Sequence, residues 1–200
     1  MKRETLKKIL KVFLTLQWAK ELPRQGFIAL GFKRNEADSV AAHSWTTAVL
    51  VYLLASEMNK NLPAGRQVNV DRAIKMALFH DMAETIVGDV GTFVKGMAQG
   101  AFAPIEEEGL KWLVNELPQK KEIIELVEEY MQRKTLEARI CKVADNLDAL
   151  AQAKGVPAAA TALKYFKEVY HITKIPWHKD AVEMILRDEV EPERSWQKKG

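Results

Sequence analysis

The chain has 200 residues, a length that suits one domain. Its 48% hydrophobic and 28% charged residues describe a globular protein with a sizeable core, not a disordered tail. The 30 basic and 27 acidic residues give a net charge of +3 and form no basic stripe, which leaves no electrostatic case for duplex nucleic acid, whereas a small anion needs only a local positive spot.

The N-terminus, MKRETLKKILKVFLTLQWAKEL, starts basic and turns apolar in the manner of a signal peptide. Lys7, Lys8, Lys11 and Lys20 interrupt the run, however, and no small-residue cleavage site follows. Leu6, Ile9, Leu10, Phe13 and Leu16 fall at helical spacing, so the segment predicts an amphipathic helix over 3–20. No apolar run approaches the roughly 20 residues of a membrane span. The single cysteine, Cys141, cannot form an intrachain disulfide and fits a reducing compartment. A cytoplasmic protein without membrane contact is expected.

An irregular connection, LPRQGFIALGFKRN, follows the first helix. Asp38 or Ser39 then caps a second helix reaching residue 59. Pro63 and Gly65 break the chain, and Asn69 or Asp71 starts a third helix expected to run to residue 87. GDVGTFVKGMAQGAFAP carries four glycines before its proline and reads as a flexible loop of the kind that forms lids. Helices are expected over 104–116, 119–133, 135–154, 157–170 and 178–190. No period-2 strand stands out, so the expected fold is all-α, with residues 1–190 as one domain and 191–200 as a polar tail that frays.

The chemistry concentrates in MALFHDMAETIVGDV. His80 and Asp81 lie on or beside the apolar stripe Ile74, Ala77, Leu78, Val87, with Glu84 one turn further on. Unpartnered buried charge costs several kcal/mol, and a divalent cation is an economical compensation for imidazole plus carboxylate. His43 lies on the stripe Val40, His43, Thr47, Leu50 or Val51, Leu54; alone, such a histidine is usually a hydrogen-bonded core residue. Asp145 belongs to the row Ala138, Cys141, Asp145, Asp148, Gln152; alone, it reads as a helix-edge carboxylate. Two imidazoles and two carboxylates would make a mixed N/O site for Mn²⁺, Fe²⁺, Co²⁺, Ni²⁺ or Zn²⁺. Trp45 fits core packing better than base stacking.

Together these residues form an ordered set: His43, an adjacent His80-Asp81 pair 37 residues later, and Asp145 64 residues after that. The order resembles the H…HD…D signature of HD-superfamily metal-dependent phosphohydrolases. DSVAAHS, HDMAETIVGDV and PRQGFI resemble segments of the 5′-deoxynucleotidase-like branch, and the likeness spans residues 5–170. The resemblance implies a compact helical bundle with a central metal site and hydrolysis of deoxynucleoside 5′-monophosphates. It implies that His43, His80, Asp81 and Asp145 hold one divalent metal ion, that Glu84 and Asp89 act around the attacking water and the substrate, and that Arg24 contacts phosphate. Lys95, on the glycine-rich loop, is a second candidate for phosphate. Two departures from the family pattern are Ala42, where an acidic residue usually precedes the first histidine, and Gly91, where a proline is frequent nearby. A partner for His43 is therefore expected from elsewhere in the fold. A homodimer is suggested by the resemblance alone. The competing readings are an HD phosphohydrolase acting on a cyclic or pyrophosphorylated nucleotide, and a non-catalytic nucleotide sensor.

Overall fold

A computed structural model of the chain describes residues 1–98, 100–154 and 169–192. Its regular elements are helices: α1 Arg3–Leu16, a 3-10 turn Gln17–Lys20, α2 Gln25–Ala29, α3 Val40–Asn59, α4 Val70–Phe79, α5 Glu84–Val87, α6 Thr92–Met97, α7 Phe102–Val114, α8 Lys120–Gln132, α9 Leu136–Lys154, α10 Tyr170–Thr173 and α11 His178–Leu186. The expected all-α class holds among the described residues. No helix there is long and apolar enough to cross a membrane.

Local chemistry starts the long helices. Of the two candidate caps for α3, Ser39 is used: its Oγ accepts from Ala42 N at 3.2 Å. Asn69 Oδ1 accepts from Arg72 N at 3.0 Å to start α4, and Thr135 Oγ1 accepts from Ala138 N at 3.2 Å to start α9. Each satisfies a donor that the first helical turn leaves without an intrahelical partner.

The main core lies where α3, α4 and α9 pack together, flanked by α8 and α11. Ala55, Ala73, Ala77 and Ala144 let the three backbones approach, and Met76, Leu126 and Leu150 fill the space between them. Each fully buried large side chain contributes about 1.5–3 kcal/mol. A second cluster packs Val12 of α1 and Leu110 and Val114 of α7 against Met82 and Ala83, which fixes the start of α5. A third seats Phe27 and Phe32, with ring centroids 5.0 Å apart, on Ala149 and Ala153 of α9.

Three sequence expectations change. The helix expected through residue 87 stops at Phe79, and 80–83 form a turn before α5. His80 Nδ1 lies 2.7 Å from the Ala77 carbonyl, taking up an acceptor that the continuing helix would use. The following amides step down to i−3 partners, Met82 N to Phe79 O and Glu84 N to Asp81 O, both at 3.0 Å. The irregular connection contains α2, and the glycine-rich loop contains α6. His178 is wholly buried. Most of the helix expected over 157–170, and residues 193–200 of the expected tail, lie outside the described residues.

Candidate metal centre

Two helices and one turn converge beside the core. α3 delivers His43 one turn after its cap, the 80–83 turn delivers His80 and Asp81, and α9 delivers Asp145. His43, His80 and Asp81 each bring a donor atom within 4.8 Å of the others. His80 Nε2 stands 3.1 Å from Asp81 Oδ2. His43 Nε2 stands 3.6 Å from Asp81 Oδ2 and 3.4 Å from Asp145 Oδ1. Donors at about 2.1 Å from one ion lie roughly 3–3.5 Å from one another, so these spacings fit a shared cation.

The ring nitrogens support the same fit. The Nε2 atoms of His43 and His80 are buried and have no hydrogen-bond partner. Their Nδ1 atoms are engaged: that of His80 with Ala77 O at 2.7 Å, and that of His43 with Asp148 Oδ2 at 2.6 Å. Proton on Nδ1 and lone pair on Nε2 is the arrangement of a ligating imidazole. Asp145 is similarly divided. Its Oδ2 accepts from Tyr130 Oη at 2.6 Å and Lys142 Nζ at 2.5 Å, while Oδ1 faces His43.

Electrostatics shows what the cluster lacks. Burial raises the Asp81 carboxyl, but the His80 and His43 imidazoles outweigh it and hold the pKa far below the usual range. Burial likewise opposes ionisation of Asp145, and Lys142 and His43 reverse it. Burial and Arg24 act to lower the His43 pKa, yet the adjacent Asp145 and Asp148 carboxylates push it up to about 9. The carboxylates thus draw positive charge into the space between them, a demand that a dication meets.

The remaining expected residues surround this point. Glu84, 5% exposed, opens α5, and burial followed by the nearby Asp81 and Asp89 carboxylates pushes its pKa up to about 10. Lys95 of α6 reaches it at 3.3 Å and pairs with Glu106 of α7 at 2.6 Å, so the lysine is tied into the site. Asp89 accepts from Gln25 N, the first amide of α2. Arg24 N donates to Asp38 O at 3.1 Å and Val40 N to Leu22 O at 3.0 Å, stapling the arginine's segment to the start of α3. The Arg24 guanidinium lies 5.3 Å from the Phe27 ring centroid and 2.9 Å from His43 Nδ1. All eight expected residues therefore gather in one region.

Sequence reasoning missed Asp148, Tyr130, Lys142 and Glu106. Two signals were present: Asp148 follows Asp145 by three residues on the same row, and Ala42 leaves His43 without an adjacent acid. Tyr130, whose ring packs edge-on to His80 at 5.0 Å, gave no local signal.

A family model described as HD domain matches residues 17–185. The chain is 30% identical over 179 residues to the 5′-deoxynucleotidase HDDC2 of Homo sapiens, covering 88% of this chain and 81% of that protein. It is 32% identical over 139 residues to the 5′-deoxynucleotidase hdd1 of Schizosaccharomyces pombe, covering 66% and 64%. Among solved structures, the PH0347 protein of Pyrococcus horikoshii OT3 superposes with a TM-score of 0.68 at 26% identity, covering 89% of this chain and 98% of that one. The convergent histidines and carboxylates thus lie within a match of 169 residues (17–185), and the chain belongs to the HD domain family.

Proposed function

We propose that the protein is a metal-dependent phosphohydrolase that releases phosphate from deoxynucleoside 5′-monophosphates. The observation that carries this is the pair of bare, buried Nε2 atoms of His43 and His80 facing the carboxylates of Asp81 and Asp145. The activity named for the human and fission-yeast relatives supports the substrate class.

His43, His80, Asp81 and Asp145 hold one divalent ion, one of Mn²⁺, Fe²⁺, Co²⁺, Ni²⁺ or Zn²⁺. Such an ion lowers the pKa of bound water and shields phosphate charge. Glu84, buried one turn beyond the His80-Asp81 pair, takes or orients the proton of the attacking water. Asp89 holds the Gln25 amide, and so the Arg24 segment, at the rim of the site. Arg24 and Lys95 supply the positive charge that a phosphate monoester needs, in a buried setting where a charge-assisted contact is strong. The enzyme works in the cytoplasm, on a small nucleotide, as a homodimer; sedimentation of the purified protein measures the last point.

Phosphate release from 5′-dAMP, 3′-dAMP and a cyclic dinucleotide, each with the metal-loaded protein, tests the reading. Preference for 5′-dAMP is expected. Preference for either comparison compound transfers the site to another HD phosphohydrolase reaction, and binding without turnover makes it a sensor.

A further inference from the structure

The His43 imidazole is gripped at both nitrogens by carboxylates of one helix. Asp145 and Asp148 lie three residues apart on α9 and share a face. Asp145 Oδ1 stands 3.4 Å from Nε2, and Asp148 Oδ2 stands 2.6 Å from Nδ1. The ring between them is wholly buried. Nδ1 has two other neighbours, Arg24 Nη1 at 2.9 Å and Thr47 Oγ1 at 3.5 Å.

These neighbours compete. A guanidinium only donates, so Arg24 favours a bare Nδ1. An ionised carboxylate only accepts, so Asp148 favours a protonated Nδ1. One nitrogen cannot do both, and the shorter, charge-assisted contact belongs to the carboxylate. The outcome determines which nitrogen a neutral ring offers to a cation. With the proton on Nδ1, Nε2 is bare and faces Asp81 and Asp145. With the proton on Nε2, the ligand position is closed.

We propose that Asp148 is a positioning residue that sets the tautomer and orientation of His43 as a metal ligand, and that it does so against the opposing bias of Arg24. The proposal rests on the metal-centre reading above. Without the Asp148 carboxylate, the one close neighbour left at Nδ1 is an obligate donor, and the neutral ring moves its proton to the nitrogen the ion requires.

The test titrates metal-stripped protein with Mn²⁺ against a competing chelator, with a melting temperature measured for every variant. Asp148→Ala should bind Mn²⁺ about 10–100-fold more weakly than the unmutated chain. Asp148→Asn should fall between them, because its amide oxygen still accepts from Nδ1–H but carries no charge. Combining Arg24→Ala with Asp148→Ala should recover part of the affinity, because the opposing donor is gone; a merely structural role for Asp148 gives no such recovery. Unmutated affinity in Asp148→Ala, or a double variant no tighter than Asp148→Ala, overturns the proposal. So does a second ion in the unmutated protein that Asp148→Ala removes, since Asp38, His43 and Asp148 also bring donor atoms within 4.8 Å of one another. Should Asp148→Ala not fold, Asp148→Asn decides alone: reduced affinity at an unchanged melting temperature supports the proposal, and unmutated affinity overturns it. An unmutated chain that takes up no Mn²⁺ overturns the metal-centre reading itself, an outcome distinct from all of these.

Discussion

Gly26 and Gly91 meet backbone to backbone: a Cβ on Gly91 would stand 3.0 Å from Gly26 Cα and 3.3 Å from Gly26 N. The contact closes the corner between α2 and the turn that precedes α6, and beside it Gln25 N donates to Asp89. Gly91 has an ordinary φ of −54°, so space rather than conformation requires glycine there. Gly88 is the converse, with open space around it and a φ of 84°. The departure from the family's proline therefore sits at a close backbone contact.

Gly91→Ala should push the two segments apart. Overpacking of this kind costs about 1–3 kcal/mol. The expected readouts are a lower melting temperature and about a tenfold loss in kcat/KM, of the size that a small misplacement of positioning groups produces. Gly96→Ala, with nothing within 4 Å of the new Cβ, is the control and should behave like the unmutated chain. Equal behaviour of the two variants would show that the Gly26–Gly91 contact positions nothing.

Glu84→Gln should retain the metal and lose turnover by about 10²–10⁴-fold, the usual contribution of a general acid–base group. The side chain is nearly isosteric, and Lys95 keeps its 2.6 Å partner Glu106, so the surroundings of the site survive. Metal content by atomic spectroscopy and kcat from phosphate release separate the two effects. Loss of the metal together with activity would place Glu84 among the ligands or the structural residues.

The long helices were legible because their signals are local. Ser39 and Asn69 were each one of two named caps, and the 3,4-spaced apolar rows of α3 and α9 put His43 and Asp145 on buried faces. The break after Phe79 was not legible, because it depends on a histidine ring taking its own helix's carbonyl, which no periodicity reports. Asp148 was in view as a row member, but its role depends on a contact to His43 across 105 residues of chain. Trp45 was misread as core and is 64% exposed. α3 is apolar on most of its circumference, with Val49, Tyr52 and Leu53 also exposed, so hydrophobicity alone could not tell which side faces inward.

Arg24→Ala should raise KM for a deoxynucleoside monophosphate more than it lowers kcat, because a neutral methyl cannot replace a forked, charge-assisted contact to phosphate. Metal affinity should be maintained or slightly improved, since the guanidinium lies 2.9 Å from His43 Nδ1 and opposes the tautomer that ligates. A methionine at the same position would preserve much of the packing over Phe27 and show the same KM effect. Unchanged kinetics in both variants would remove Arg24 from substrate binding.

His178 gives a pH dependence with a definite sign. The ring is wholly buried, 2.8 Å from Asn146 Oδ1 at Nε2 and 2.9 Å from Thr173 Oγ1 at Nδ1. With the proton on Nε2, it donates to the amide oxygen and accepts from the hydroxyl, so both nitrogens are satisfied in the neutral form. Burial, reinforced by the Lys142 charge, pushes its pKa down to about 4. In the unfolded chain the same group titrates near about 6.5. Between those values the unfolded state binds a proton that the folded state refuses, so folding stability falls as pH drops from about 6.5 towards 4, and this contribution levels off below. Carboxyl groups titrate in the lower part of that window, so the discriminating quantity is a difference. His178→Gln should be less stable than the unmutated chain at pH 7.5, through poorer filling of the buried site. The gap in urea midpoints should narrow steadily between pH 6.5 and 4.5, because only the unmutated chain carries the refused proton. A gap that stays constant over that range would mean that His178 is protonated alike in both states and that its buried contacts do not depend on neutrality.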